Sequence, residues 1–191
     1  MERYAAGERN EGIIRVAGGV ELRPARMEHA DALFAAVERN RDRLRQWLPW
    51  VVDGYSIEST RRFLADCERE NAARASLTTI IWWKGEIRGA IGLHRIEMRH
   101  RSTSIGYWID AACEGKGIVT NACRAIVDEG FRRYGLHRIE IRCATGNHRS
   151  AAIPQRLGFV EEGVLREAEW LYDHWVDLRV FSMLEQHWKM A

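Results

Sequence analysis

The sequence predicts one α+β domain built on a mixed, mostly antiparallel sheet flanked by helices. Three features predict it. Residues 78–84, 87–96 and 103–109 are β-rich in composition and separated only by short polar breaks, as neighbouring antiparallel strands are. A glycine-bearing loop then leads into a helical stripe and out to a strictly alternating strand. Residues 103–145 thus read as a strand–helix–strand unit with one parallel pair and a right-handed crossover. No internal repeat, low-complexity stretch or Pro/Ser-rich linker interrupts the 191 residues, a length that suits one domain.

Residues 1–12 carry charge and glycine without periodicity and read as a flexible or loosely packed arm on a domain spanning 1–191. Ile13, Ile14 and Val16 predict a short strand turning at Gly18-Gly19, with Val20 and Leu22 as its hairpin partner. From Arg26, the apolar residues Ala30, Leu33, Phe34 and Val37 recur at helical spacing, and Asn40 supplies a stop. A tryptophan-rich connector holding Trp47 and Trp50 is broken by Pro49, and a second helix from Ser56 carries Thr60, Phe63, Leu64 and Cys67. After the three β-rich segments, Ile118, Ala122, Ile126, Gly130 and Tyr134 form one helical stripe ending at Gly135. The period then changes to two: Ile139, Ile141 and Cys143 alternate with Arg138, Glu140 and Arg142, which predicts a half-buried strand. A short helix over 148–157 and strands over 160–165 and 175–184 complete the order β(β)ααβββαβαββ.

Composition narrows the function. Lys+Arg exceed Asp+Glu by only two charges, 29 against 27, which argues against the dense basic face of a direct nucleic-acid binder. The longest nearly apolar run is the seven residues 77–83, far short of the roughly 20 that span a bilayer. The polar N-terminus lacks a signal-peptide core, so a cytoplasmic location is expected. The cysteines Cys67, Cys113, Cys123 and Cys143 form no C-x-x-C and read as reduced, packed thiols. The seven histidines lack metal-ligand spacing, so no metal is expected.

The chemistry lies in two segments. In the first, Gly106-Tyr107-Trp108-Ile109-Asp110 is followed by Glu114-Gly115-Lys116-Gly117-Ile118-Val119-Thr120, a strand delivering glycines into a helix N-terminus. Glycines allow close backbone approach, and first-turn amides with the helix dipole favour a phosphate. Lys116 and Thr120 offer a charge and a hydroxyl. Neither the P-loop spacing nor G-x-G-x-x-G is present, so nucleotide hydrolysis and dinucleotide binding are not supported. The same glycines could instead only close a tight turn. The second segment is Asn147-His148-Arg149-Ser150-Ala151-Ala152-Ile153-Pro154-Gln155-Arg156-Leu157-Gly158-Phe159, which follows the alternating strand. Taken alone, Asn147 could be a helix cap, Ser150 a passive first-turn residue and Glu169 a surface acid.

Together the two segments resemble the GNAT acyltransferase superfamily over roughly residues 20–188. The run from Ala152 to Phe159, residues 163–170 and the tryptophans after the first helix resemble its RimL/RimJ branch, whose members acetylate protein N-termini. The resemblance implies a splayed central parallel strand pair and acetyl-CoA as cosubstrate. It implies cofactor contacts from Trp108, Ile109, Glu114, Gly115, Lys116, Gly117, Ile118, Val119, Thr120 and Asn147, with a main-chain N–H of Trp108 or Ile109 as oxyanion donor. It also implies Ser150 as the proton donor to the departing thiolate and Glu169 as the group that recognises or deprotonates the amine.

Three positions depart from the broad pattern. Glu114 stands where Gln or Arg is common, Val119 where Gly or Ala is, and Pro154 where a proton-donating tyrosine often sits. Trp47, Trp50 and Trp170 are expected to line the acceptor channel, with a protein N-terminus or a small amine as acceptor. The tryptophan-rich surface suits a homodimer. The alternatives are a small-amine or antibiotic N-acetyltransferase and a non-catalytic CoA-binding regulatory module.

Overall fold

The computed structural model describes residues 12–189, so the expected N-terminal arm lies outside the described residues except for Gly12. The strands are β1 (Ile14–Val16), β2 (Val20–Pro24), β3 (Leu77–Trp83), β4 (Glu86–Glu97), β5 (Ser102–Ile109), β6 (Arg138–Ala144), β7 (Val160–Leu171) and β8 (His174–Leu184). The helices are α1 (Ala30–Glu38), α2 (Arg41–Arg45), α3 (Ile57–Ala72), α4 (Ile118–Arg132) and α5 (His148–Arg156). One sheet runs in the spatial order β1-β2-β3-β4-β5-β6-β8-β7. Its strands pair antiparallel except β5 with β6, which pair parallel across the α4 crossover, as expected.

The sheet has a core on each face. On one, α4 and α5 bury Ile118, Ala122, Ile126, Ala151 and Ile153 against Leu22, Ile81, Ile91, Ile105, Ile139 and Ile141. On the other, α1 and α3 bury Leu33, Ala36, Leu64 and Cys67 against Ile80, Ile87 and Ala90. Ile80 and Ile81 thus go to opposite faces, as the two-residue pleat requires. The alternation read in β6 holds as well, with Ile139, Ile141 and Cys143 buried.

Three boundaries differ from expectation. A 3₁₀ turn at Met27–His29 precedes α1, so the helix proper begins at Ala30 rather than Arg26. The five-residue α2 has one apolar residue, Leu44, which is too few to produce a periodic signal. β7 continues to Leu171 rather than ending at 165, because it is an edge strand with almost every side chain exposed and carries no alternation to read.

The feature that creates a site is the parting of β5 and β6. Their register runs only from Ser102↔Arg138 to Ile105↔Ile141. Beyond it, β5 stays with β4 as far as Ile109↔Gly89, while β6 stays with β8 as far as Ala144↔Leu178. The C-terminal ends of the two parallel strands therefore border a gap in the sheet, the position at which open α/β sheets receive ligands.

Candidate active site

One wall of the gap is β5 and the loop that follows it. Gly115 and Gly117 adopt φ of 71° and 73°, a left-handed backbone that residues with a Cβ resist. A Cβ added at either would meet no protein atom within 4 Å, so conformation rather than crowding demands glycine and the space beside the loop is open. Gly117 is the N-cap of α4 and has no side chain to cap with, which leaves the first-turn amides of Ile118, Val119 and Thr120 as orphan donors. The side chains of Ile118 and Val119 are buried, so these residues offer the site only their backbone. Lys116 turns back, its ammonium donating to the Ala112 carbonyl at 2.7 Å and lying 4.8 Å from the Trp83 ring centroid.

Glu114 does not face the loop as a bare carboxylate. Arg43 of α2 donates to its Oε1 at 2.6 Å, and Arg149 of α5 donates to its Oε2. Two cations against one anion leave this corner net positive. The loop is also braced from below. Asp110 is buried, and Arg39 Nε donates to it at 2.6 Å while its other oxygen accepts from the Ala112 N–H. Burial alone would raise the Asp110 carboxyl; the Arg39 and Ala112 bonds outweigh it and hold the group below its ordinary value. Asn40, read in the sequence only as a helix stop, is buried, and its Oδ1 accepts from the Ala111 N–H at 2.9 Å. Sequence reading missed Arg39, Arg43 and Asn40 as loop supports. The one signal available was a polar Asn just after an apolar helical stripe.

Backbone direction decides which amides face the gap. The Asp110 N–H donates to the Arg88 carbonyl on β4. Since N–H groups alternate sides along a strand, the Trp108 N–H, in register with Ala90, also points to β4, whereas those of Tyr107 and Ile109 point toward the gap. Of the two expected oxyanion donors, the Trp108 N–H thus turns to β4 and the Ile109 N–H to the gap. The Trp108 side chain lies on the α1/α3 face of the sheet.

The other wall is β6 and the start of α5. The Oδ1 of Asn147 accepts from the Ser150 N–H at 3.1 Å, a helix N-cap. The Ser150 hydroxyl donates to the Tyr107 oxygen at 3.1 Å, and the Tyr107 hydroxyl donates to the Ser150 carbonyl at 3.0 Å. Cys143, the next-to-last residue of β6, has its thiol raised by burial, partly offset by a hydrogen bond with Ser150. At the far end of α5, Gly158 takes φ of 78°. The Phe159 and Gly158 amides donate to the Pro154 and Gln155 carbonyls, so the Gly-Phe pair of the sequence motif is a Schellman closure.

Aromatic side chains cover the same end of the sheet. Trp47 packs on Gly146, just before the α5 cap, at 3.6 Å from where a Cβ would stand. Trp50 lies 6.5 Å from Trp108 and 5.6 Å from Tyr55, ring to ring. Trp170, expected beside them, has Trp175 as its ring partner at 5.1 Å and is exposed on the β7–β8 hairpin. The hairpin tip reaches the connector differently: the Tyr172 hydroxyl donates to the Leu48 carbonyl at 2.6 Å and to that of Val51 at 3.2 Å. Glu169, two register steps past the Leu178 level where β6 ends, is half-buried, and burial raises its carboxyl above the ordinary value. Among the described residues, no group of three His, Cys, Asp or Glu side chains is placed to hold a metal.

A splayed parallel pair, a glycine loop at a helix N-terminus and a serine on the opposite wall form a recognisable set. Residues 20–160 match the acetyltransferase (GNAT) domain. The chain belongs to the GNAT acetyltransferase family. It is 29% identical over 171 residues to the ribosomal-protein-serine acetyltransferase of Escherichia coli (strain K12), covering 90% of this chain and 96% of that one. Among solved structures it resembles RimL, the ribosomal L7/L12 alpha-N-protein acetyltransferase in complex with coenzyme A. The TM-score is 0.86 at 29% identity, over 90% of this chain and 97% of that one. The Microcin C7 self immunity acetyltransferase MccE, in complex with acetyl-CoA and AMP, gives 0.83 at 28% identity over 87% of this chain and 93% of that one. This GNAT member is an N-acetyltransferase by family, with its gap, loop and serine arranged as described.

Proposed function

We propose that the enzyme transfers acetyl from acetyl-CoA directly to the N-terminal α-amine of a protein, a ribosomal protein being the acceptor that its relatives favour. The observation that carries the reading is the gap between β5 and β6, with the open glycine loop on one wall and Ser150 on the other.

The residues present fit the cosubstrate. Backbone amides of 115–120 would hold the pyrophosphate at the α4 N-terminus, aided by the net positive corner of Arg43, Glu114 and Arg149. The Asn147 cap fixes the first turn of α5, which would lie beside the pantetheine arm. Acetyl-CoA supplies the activated thioester. The Ile109 N–H, rather than that of Trp108, would donate to the charge that grows on the thioester oxygen. Holding both reactants in the gap supplies much of the rate. Ser150 would give its proton to the departing thiolate and regain one, through solvent, from the proton that Glu169 takes off the amine; Pro154, at the commoner tyrosine position, has no proton to give. Glu169, half-buried at the acceptor end, takes the proton from the amine. With a pKa of about 7.7–8.0, an α-amine needs only modest help, whereas lysine at about 10.4 needs more. Trp47 and Trp50 flank the acceptor path.

An acceptor among ribosomal proteins would fit a cytoplasmic location. The exposed Val164, Leu165, Trp170 and Trp175 suit a homodimer. The test is thiol release from acetyl-CoA against peptides beginning with Ser or Ala, N-terminally blocked lysine peptides, and small amines such as polyamines. Turnover confined to the free α-amino peptides is expected. Turnover confined to small amines would reject the protein acceptor, and saturable binding without turnover would favour a regulatory module.

A further inference from the structure

In an α-helix the carbonyl of residue 150 accepts from the N–H of residue 154. Here residue 154 is proline, inside α5, and has no N–H to give. The Ser150 carbonyl therefore lacks its intrahelical partner. It is satisfied from across the gap, by the Tyr107 hydroxyl at 3.0 Å. The same phenol oxygen accepts from the Ser150 hydroxyl at 3.1 Å, so two bonds join the pair. Tyr107 lies on β5 beyond Ile105, the last residue registered with β6. These bonds thus tie together two walls that the sheet no longer joins, at the level of the chemistry.

We propose that Tyr107 is a positioning residue for acetyl transfer: it holds the first turn of α5 against β5 and fixes where the Ser150 Oγ sits, from which the O–H turns off Tyr107 to reach the thiolate, and Pro154 is what leaves the Ser150 carbonyl open to it. The inference rests on the reading of Ser150 as proton donor. Tyr107 is not itself that donor. Burial pushes its phenol well up, so a tyrosinate is disfavoured there and the hydroxyl keeps its proton. Its contribution is geometric. Ser150 has a short side chain with three staggered choices, and the tie to Tyr107 selects one of them.

The experiment is a double-mutant cycle of Tyr107→Phe, Ser150→Ala and the pair, followed by kcat, both KM values and Tm. Phenylalanine keeps the ring packing and removes only the hydroxyl. Tyr107→Phe is expected to lower kcat on the order of tenfold with each KM within about twofold, and to have no further effect on kcat once Ser150 is alanine. A merely structural tyrosine would give the same factor in both backgrounds, or would move KM and kcat together; either result overturns the proposal. So does a parent-like kcat in Tyr107→Phe while Ser150→Ala is impaired, which leaves the serine assignment standing. A parent-like Ser150→Ala instead rejects the serine as donor, and the proposal with it. If Tyr107→Phe does not fold, fluorotyrosine at position 107 keeps the ring and hydroxyl but weakens the oxygen as an acceptor. A lowered kcat then supports the positioning role, and an unchanged one overturns it.

Discussion

Individual side chains in this enzyme take their roles from their surroundings more than from their type. Glu114, an acid beside a loop proposed to bind an anion, is unfavourable on paper, yet Arg43 and Arg149 between them more than cancel its charge. Glu169 is raised by burial, and the sign of the consequence follows. A base works only when deprotonated, so its contribution should vanish as pH falls through a value above the ordinary glutamate pKa of about 4.3. The ratio of parent to Glu169→Gln rate, which cancels the ionisation of the amine itself, is expected to be largest at high pH and to fall toward one on acidification. A ratio flat across the pH profile would remove Glu169 as the base. Gly117 is held by its φ of 73°. Alanine there adds about 1 kcal/mol of backbone strain and puts a methyl into the open space beside the loop. Gly117→Ala should raise KM for acetyl-CoA about tenfold with a smaller effect on kcat; titration calorimetry with CoA checks the binding part directly.

At the scale of elements, the site is a matter of how loops are braced and helices are closed. The turn that leads from β5 to α4 stands on Asp110, whose carboxylate is buried and paired with Arg39. Removing the guanidinium leaves that charge with Arg88 at 3.6 Å as its remaining ion-pair partner. Arg39 is 42% exposed, so the cost of Arg39→Ala is expected at about 1–2 kcal/mol near neutral pH, below the value for a fully buried pair. Asp110 has a depressed pKa in the fold. Its stabilisation is therefore present above the ordinary aspartate value and lost as pH falls through the lower, folded one. The difference between parent and variant in urea unfolding should accordingly shrink below about pH 4; a difference that persists there would assign the loss to packing. Legibility followed the same logic. The stripe of α4 and the alternation of β6 could be read because each buries one face and exposes another. Neither α2 nor the outer half of β7 could be read, because neither buries a face.

For the molecule as a whole, one topological event makes the enzyme: two parallel strands leave each other midway, β5 following β4 and β6 following β8. The groups proposed to act are arranged around that gap. The sequence by itself determined the family, the order of most elements, the glycine loop and the serine-bearing helix, because those depend on local periodicity, on backbone freedom at glycine and on motifs contiguous in the chain. Only the tertiary structure decided which amide faces the gap, what neutralises Glu114 and what holds Ser150. The first follows from strand alternation once a pairing register is set, which turns the Trp108 N–H to β4 and that of Ile109 to the gap. The others join residues far apart in the chain, 71 positions from Arg43 to Glu114 and 43 from Tyr107 to Ser150. Such pairs leave no mark in a single sequence, since nothing local distinguishes an arginine or a tyrosine that finds its partner only after folding.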